Sequence, residues 1–231
     1  MTEPHLNKEG DKNMRTLGIL GGMGHQATAY FYEMLSAKNG GKNCPNVIIY
    51  SKGTPPNLTD FVLGKIDAVD PTEGLVEAVK LLERSGATEI VVPSALSHYF
   101  LPVLSEAVNI PVINMLAHVA QTVADKGFTN VGLLAKEATV HANLYQQELL
   151  MRGIHTQTPP ADGQVKMERI ISCLEKGKSH DGDAFEAVAE ELYTQGAEGI
   201  ILGCTELSLI SRGEAQGFID SLNILTNVLY Q

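Results

Sequence analysis

Apolar and polar positions along this chain fall into two alternating patterns. Six short runs are dense in Ile, Val and Leu without a polar alternate position: Thr16–Leu20, Asn46–Tyr50, Glu89–Pro93, Val112–Asn114, Asn130–Leu134 and Gly199–Leu202. Strands read this way when they are parallel and covered on both faces. Between them, apolar residues recur at helical spacing in Glu73–Ser85, Leu116–Lys126, Ala142–Arg152 and Asp183–Gln195. Strand and helix in alternation predict an α/β protein built on parallel sheets flanked by helices.

The pattern also repeats. "TLGILGGMGHQATAYFYEML" (Thr16–Leu35) aligns with "NVGLLAKEATVHANLYQQEL" (Asn130–Leu149), placing Gly18 on Gly132, Leu20 on Leu134 and Leu35 on Leu149. "SGATEIVVPS" (Ser85–Ser94) aligns with "QGAEGIILGC" (Gln195–Cys204), placing Ser94 on Cys204. The offsets, 132 − 18 = 114 and 196 − 86 = 110, nearly agree. Two copies of one unit predict two similar domains related by a pseudo-twofold, 15–115 and 116–218, after a loose polar tail at 1–14. Ligands of open parallel sheets bind beyond the carboxyl ends of strands. Ser94 and Cys204 both follow such ends and would meet one ligand from opposite sides of a cleft. The alternative is a duplication that left no shared site.

Composition narrows the function. The 231 residues suffice for one large or two small domains, and the apolar and charged fractions of 44% and 19% suit a soluble globular protein. A net charge of −10 argues against nucleic acid or an anionic membrane as partner. No apolar run approaches the roughly 18 residues of a membrane span, and "MTEPHLNKEGDKN" has no apolar segment of a signal peptide. Three cysteines, Cys44, Cys173 and Cys204, make neither a disulfide framework nor a zinc site, which suits a reducing cytoplasm. Cys44 lies in a loop. Cys173 keeps helical spacing with Ile170 and Ile171 and reads as core. His25, His118 and His141 lack metal-ligand spacing, so no metal is expected.

Two turns carry candidate chemistry. "GGMG" (Gly21–Gly24) follows the first strand and precedes a helix, where glycines permit close backbone approach and free N–H groups face an anion. A dinucleotide site wants GxGxxG and an acid about 20 residues on, and neither is present. Gly22, Met23 and Gly24 therefore read as a carboxylate-binding turn, or as a tight turn alone. "GCTEL" (Gly203–Leu207) sets Cys204 on a strand-to-helix turn. A helix N-terminus there would lower the thiol pKa from about 8.5 and favour thiolate. Thr205 is placed to bind ligand or cap the helix, and Glu206 to orient a partner or serve as a first-turn acid.

With "LGILGGMG", "GLLA" (Gly132–Ala135), "GCTEL" and the closing "FIDSLNIL" (Phe218–Leu225), the chain resembles the aspartate/glutamate racemase superfamily from about Arg15 to its end. The resemblance implies two pseudo-symmetric α/β domains, an active site in the cleft between them and a C-terminal segment, 219–231, that returns to the first domain. It implies a cytoplasmic, homodimeric enzyme of amino-acid metabolism that needs no pyridoxal phosphate or other cofactor and acts on a small amino or carboxylic acid. It implies two thiols, one removing the α-proton as thiolate and the other delivering a proton to the opposite face. Cys204 matches the second.

The first falls in the family's "PCNTAH", which here reads "PSALSH", Pro93–His98. Ser94 replaces the cysteine, and Ala95 and Leu96 replace the Asn and Thr that would hold the α-carboxylate. Leu58 of "PPNLTDF" stands where the family's "PDR" arginine binds a distal carboxylate. Val165 stands where an aspartate racemase has a lysine, with Lys166 one step off. Lys52 or Lys166 could substitute. A pocket that loses these donors disfavours aspartate and glutamate, because an unpaired buried carboxylate costs several kcal/mol. His98, the family histidine, reaches Ser94 if that turn is helical, or is structural.

Three readings follow. The leading one is a racemase or epimerase with Cys204 as its thiol and Ser94 positioning substrate, relaying a proton or acting as a weak acid. The second is a single-cysteine decarboxylase or lyase like the arylmalonate decarboxylases of the same superfamily. The third is a non-catalytic ligand binder.

Overall fold

Two parallel sheets organise the chain in a computed structural model that describes residues 15–53, 57–211 and 217–230. The expected tail, 1–14, lies outside the described residues. The first sheet contains β1 (Thr16–Gly21), β2 (Asn46–Ser51) and β3 (Glu89–Val91) in the order β2-β1-β3. The second contains β4 (Asn130–Leu134), β5 (His155–Gln157), β6 (Ile200–Leu202) and β7 (Phe218–Asp220) in the order β5-β4-β6-β7. Each strand pair is parallel.

The repeat is reproduced in the register. Gly18 stands opposite Ile90 in the first sheet as Gly132 stands opposite Ile200 in the second. Thr16 pairs with Asn46 as Asn130 pairs with His155. Val112 makes a single bridge to Ile90 where Phe218 begins a full strand beside Ile200.

Helices fill the connections. In the first half they are α1 (His25–Ala37), α2 (Leu58–Val62), α3 (Thr72–Arg84) and α4 (Leu101–Glu106). α5 (Met115–Asp125) leads into the second half, followed by α6 (Glu137–His141), α7 (Leu144–Leu150), α8 (Ala161–Glu175) and α9 (Gly182–Thr194). α10 (Ser208–Ser211) and α11 (Ser221–Val228) close the chain. β7 belongs to the second sheet, while α11 packs on both α5 and α1.

Some elements differ from the expected pattern for local reasons. The third strand stops at Val91 because Ser94 N–H turns back to the Val92 carbonyl. Val112–Asn114 is cut short because Asn114 caps α5, its side chain accepting from Ala117 N–H at 3.0 Å. The expected helix Ala142–Arg152 is broken at Asn143, whose φ of 53° lies in the left-handed region that Asn tolerates. β5 is His-Thr-Gln and β7 is Phe-Ile-Asp, so neither forms a run of Ile, Val and Leu.

Strands buried on both faces need cores on both sides. Leu17, Ile19, Val91, Leu133, Ile201 and Ile219 point into one shared cluster with α1, α5, α7 and α11. Their neighbours point the other way. Leu20 and Ile90 meet α3, and Leu134, Ile200 and Leu202 meet α8 and α9. Ile201 is therefore flanked by residues of a different cluster, as the twofold alternation of a strand requires. The shared cluster holds the two sheets against each other. Each fully buried Leu or Ile contributes about 1.5–3 kcal/mol to it.

A buried polar chain fastens α11 to this core. Ser221 donates to the Leu202 carbonyl at 2.8 Å, so the Tyr145 hydroxyl, 2.9 Å away, donates to Ser221. Burial pushes the Tyr145 phenol pKa far up, which keeps it a donor. Tyr145→Phe leaves Ser221 without that donor and is expected to lower stability by about 1–3 kcal/mol. Urea denaturation should show the lower midpoint with an unchanged slope.

Candidate active site

The carboxyl ends of β1, β3, β4 and β6 converge on one pocket of about 360 Å³. Met23, Gly24, Leu58, Ser94, Ala95 and Leu96 line it from the first half. Lys136, Thr139, Glu175, Cys204, Thr205 and Glu206 line it from the second. Ser94 and Cys204, matched by the repeat, thus share one cavity.

Cys204 lies two residues past β6, at the N-cap position of the 3₁₀ turn Thr205–Leu207. Its thiol donates to Glu206 Oε2 at 3.0 Å. The Thr205 hydroxyl lies 3.4 Å from the same oxygen and 3.3 Å from the Pro93 carbonyl of the other half. The Glu206 carboxylate reaches under the glycine turn, where its Oε1 stands 2.1 Å from the place a Cβ on Gly24 would take. A side chain at position 24 would displace the carboxylate.

These contacts overturn the expected low thiol pKa. Burial pushes the Cys204 thiol well up, and the adjacent Glu206 carboxylate adds to the shift. Lys136 opposes both. A single 3₁₀ turn supplies too little dipole to compensate. Burial also raises the Glu206 pKa, with the hydrogen bond from Cys204 acting against it. The Lys136 ammonium is held charged, because Cys204, Glu175 and Glu206 outweigh its burial. Lys136 forms an ion pair with Glu175 Oε1.

On the opposite wall, Ser97 and Ser94 share a hydroxyl contact of 2.8 Å, and Ser97 also lies 3.2 Å from Met23 Sδ. One hydroxyl proton cannot serve both contacts. With Ser97 donating to Ser94, the Ser94 proton is free for the pocket. With Ser94 donating to Ser97, and Ser97 to sulfur, Ser94 turns a lone pair to the pocket.

His98 is close to Ser94 but meets its backbone. His98 Nε2 accepts from Met115 N–H at 3.1 Å, so Nδ1 carries the proton and donates to the Ser94 carbonyl at 2.9 Å. The expected reach to the serine hydroxyl is not made. Burial lowers the His98 pKa. This neutral ring ties the "PSALSH" turn to the start of α5.

Other candidates stand elsewhere. Gly22 packs below the pocket, with 2.1 Å between a Cβ placed there and the Lys52 carbonyl. Its N–H is taken by Thr28 Oγ1. Lys52 Nζ donates to the Gly74 carbonyl at 3.1 Å and does not line the pocket. Lys166 is half-exposed on α8, 3.8 Å from Asp162, and faces away. The cation that lines the pocket among the described residues is Lys136. The repeat offset leads to it, since 22 + 114 = 136 puts Lys136 on Gly22. Glu175 ends α8 and has no such signal.

The profile of the Asp/Glu/hydantoin racemase family matches residues 20–229. The chain belongs to this family of isomerases. It is 23% identical to the broad-specificity amino-acid racemase RacX of Bacillus subtilis over 206 residues, 84% of this chain and 86% of that one. Its structure matches an aspartate racemase homologue from Pyrococcus horikoshii with a TM-score of 0.75 and 28% identity, covering 94% and 98% of the two chains. The fold is also that of the Picrophilus torridus aspartate racemase, with a TM-score of 0.79 at 23% identity over 93% and 92%. Among the described residues of this family member, no group of His, Cys, Asp and Glu could hold a metal ion, and no helix is long and apolar enough to cross a membrane.

Two measurements check the electrostatics. Glu206→Gln removes a negative neighbour of Cys204, so the thiolate fraction rises and iodoacetamide should label Cys204 faster at neutral pH. Lys136→Met should slow it, with both rates read by peptide mass spectrometry. His98 resists protonation in the fold, so the unfolded chain binds the extra proton below the ordinary His pKa of about 6.5. Native stability should therefore fall from pH 7 to pH 5 more steeply than that of His98→Asn, measured as the change in Tm.

Proposed function

We propose that this chain moves a proton at the α-carbon of a small amino or carboxylic acid, with Cys204 as the acid–base group on one face. The hydrogen bond from Cys204 to the buried Glu206, across the pocket from Ser94, carries the reading. Glu206 Oε2 takes the thiol proton, and the thiolate takes the α-proton of the substrate. Lys136 favours both anions, the thiolate and the developing enediolate. Return of the proton from Cys204 restores the starting configuration. Inversion instead draws a proton from solvent water, relayed by the Ser97 and Ser94 hydroxyls, each accepting one proton as it gives another, while Glu206 releases its proton to solvent. An alcohol is far too weak an acid to form an alkoxide here. Ser94 thus serves as donor and positioning group, and inversion is slower than exchange.

In this reading the units are 15–115 with the C-terminal return, and 116–218; Ile219 and Asp220 stay with the second sheet, so the return starts at Ser221 and not at 219. The enzyme is a cytoplasmic homodimer that works without pyridoxal phosphate.

A second reading is favoured by the raised thiol pKa together with the apolar wall of Leu58, Ala95 and Leu96. A protonated Cys204 beside an apolar surface suits decarboxylation. There the bond to a malonate carboxyl breaks, CO₂ leaves, and the carbanion takes its proton from the thiol.

The test is loss of the α-proton signal in D₂O over a panel of amino and carboxylic acids, with enantiomers separated chromatographically. Cys204→Ala should reduce exchange at least about 100-fold. Ser94→Cys should raise inversion relative to exchange. Unchanged exchange in Cys204→Ala overturns the proposal. CO₂ release from aryl- or alkylmalonates, without α-exchange of any amino acid, selects the second reading.

A further inference from the structure

The pocket contains an ion pair to which proton transfer gives only part of a role. Lys136 Nζ meets Glu175 Oε1 on the second-half wall, beside Cys204, with side-chain exposures of 22% and 34%. A pair this solvated opens at little cost. Glu206 is not available in the same way. Its Oε2 already faces two donors, and its Oε1 is pressed against Gly24. Among the described residues lining the pocket, the charges are thus one cation, Lys136, and two carboxylates, Glu175 and Glu206.

This balance selects among substrates. A dicarboxylate would bring two negative charges to a single ammonium and two carboxylates, leaving at least one anion unpaired. A zwitterion fits without excess. Its carboxylate replaces Glu175 at Lys136, and its ammonium takes the released Glu175, so one ion pair becomes two. The rest of the ligand then lies toward Met23, Leu58, Ala95 and Leu96, which offer no charge. Position 22, the counterpart of Lys136 in the repeat, is a glycine, so among the described residues the side-chain cation stands on the second-half wall and favours one orientation.

We infer that the substrate is a neutral α-amino acid with an apolar side chain, its carboxylate held by Lys136 and its ammonium by Glu175. The inference deepens the reading of an α-carbon proton transfer in this pocket and rests on it. It also separates from that reading, because it concerns binding. Lys136 and Glu175 are specificity-determining residues, distinct from the Cys204–Glu206 pair that handles the proton.

The experiment is calorimetric titration of the full chain carrying Cys204→Ala, which binds without turnover. The probes are leucine, methionine, aspartate and glutamate in both enantiomers, with isocaproate (no ammonium) and isoamylamine (no carboxylate). Leucine and methionine should bind at least tenfold more tightly than aspartate, glutamate, isocaproate or isoamylamine. Adding Lys136→Met should bring leucine down to isoamylamine, and Lys136→Arg should restore it. Adding Glu175→Gln should bring leucine down to isocaproate, and Glu175→Asp should restore most of the loss. The inference is overturned if the dicarboxylates bind as tightly as leucine, if no amino acid binds, or if Lys136→Met, with an unchanged melting curve, still binds leucine fully. Tight binding of leucine without any α-exchange by the native chain sinks the proton-transfer reading and leaves the specificity intact. Exchange confined to aspartate and glutamate does the reverse.

Discussion

The Glu206 carboxylate is almost fully buried, accepts the Cys204 thiol proton in a hydrogen bond and stands against the backbone of Gly24. Most of the site depends on this arrangement. A buried carboxylate requires donors; the thiol supplies one, and the Thr205 hydroxyl has a single proton to divide between Glu206 and the Pro93 carbonyl. Thr205 in turn reaches the Pro93 carbonyl, which joins the second-half turn to the turn that carries Ser94. The glycine turn leaves room for the carboxylate beneath it, and Thr28 takes the Gly22 N–H. Lys136 is then needed to balance the charge, and Glu175 to pair with Lys136.

The duplicated architecture explains where these groups stand, and divergence explains what they are. The three strands of the first sheet match β5, β4 and β6 of the second in order and register, and both sheets turn one face to a shared core. Their strand ends therefore meet across a single pocket. At one pair of matched ends the residues are Gly22 and Lys136, and at the other Ser94 and Cys204. Among the described residues that line the pocket, the second half holds the thiol and the charges, and the first half holds hydroxyls, a carboxamide, a thioether and apolar groups. A symmetric frame thus carries an asymmetric site. Such asymmetry suits chemistry that differs between the two faces of a planar carbanion.

Much of this was legible in the residues. The offset of 110 in the later repeat placed Ser94 with Cys204, and the offset of 114 in the earlier one puts Lys136 on Gly22. The apolar runs marked β1, β2, β3, β4 and β6, and the substitutions at Leu58, Ala95 and Leu96 marked the apolar wall. Other positions were not legible. Lys52 and Lys166 have the right charge, but Lys52 is bound to the Gly74 carbonyl and Lys166 lies on the outer side of α8. His98 has the right spacing to Ser94, yet its ring is committed to the Met115 N–H and the Ser94 carbonyl. Charge and spacing state what a side chain is able to do. They do not state which backbone group has already claimed it.

By itself, the sequence determined the fold class, the repeat, the match of Ser94 with Cys204 and the serine in place of a cysteine at position 94, because these depend on local apolar pattern and on residue identity. The tertiary structure decided the protonation of the site. Whether Cys204 is a thiol or a thiolate depends on its burial, on Glu206 two residues away and on Lys136 across 68 positions (204 − 136). The pairing of Lys136 with Glu175 depends on how β4 and α8 pack. Electrostatic energy varies with distance and local dielectric in three dimensions, and neither is written in the order of residues along a chain.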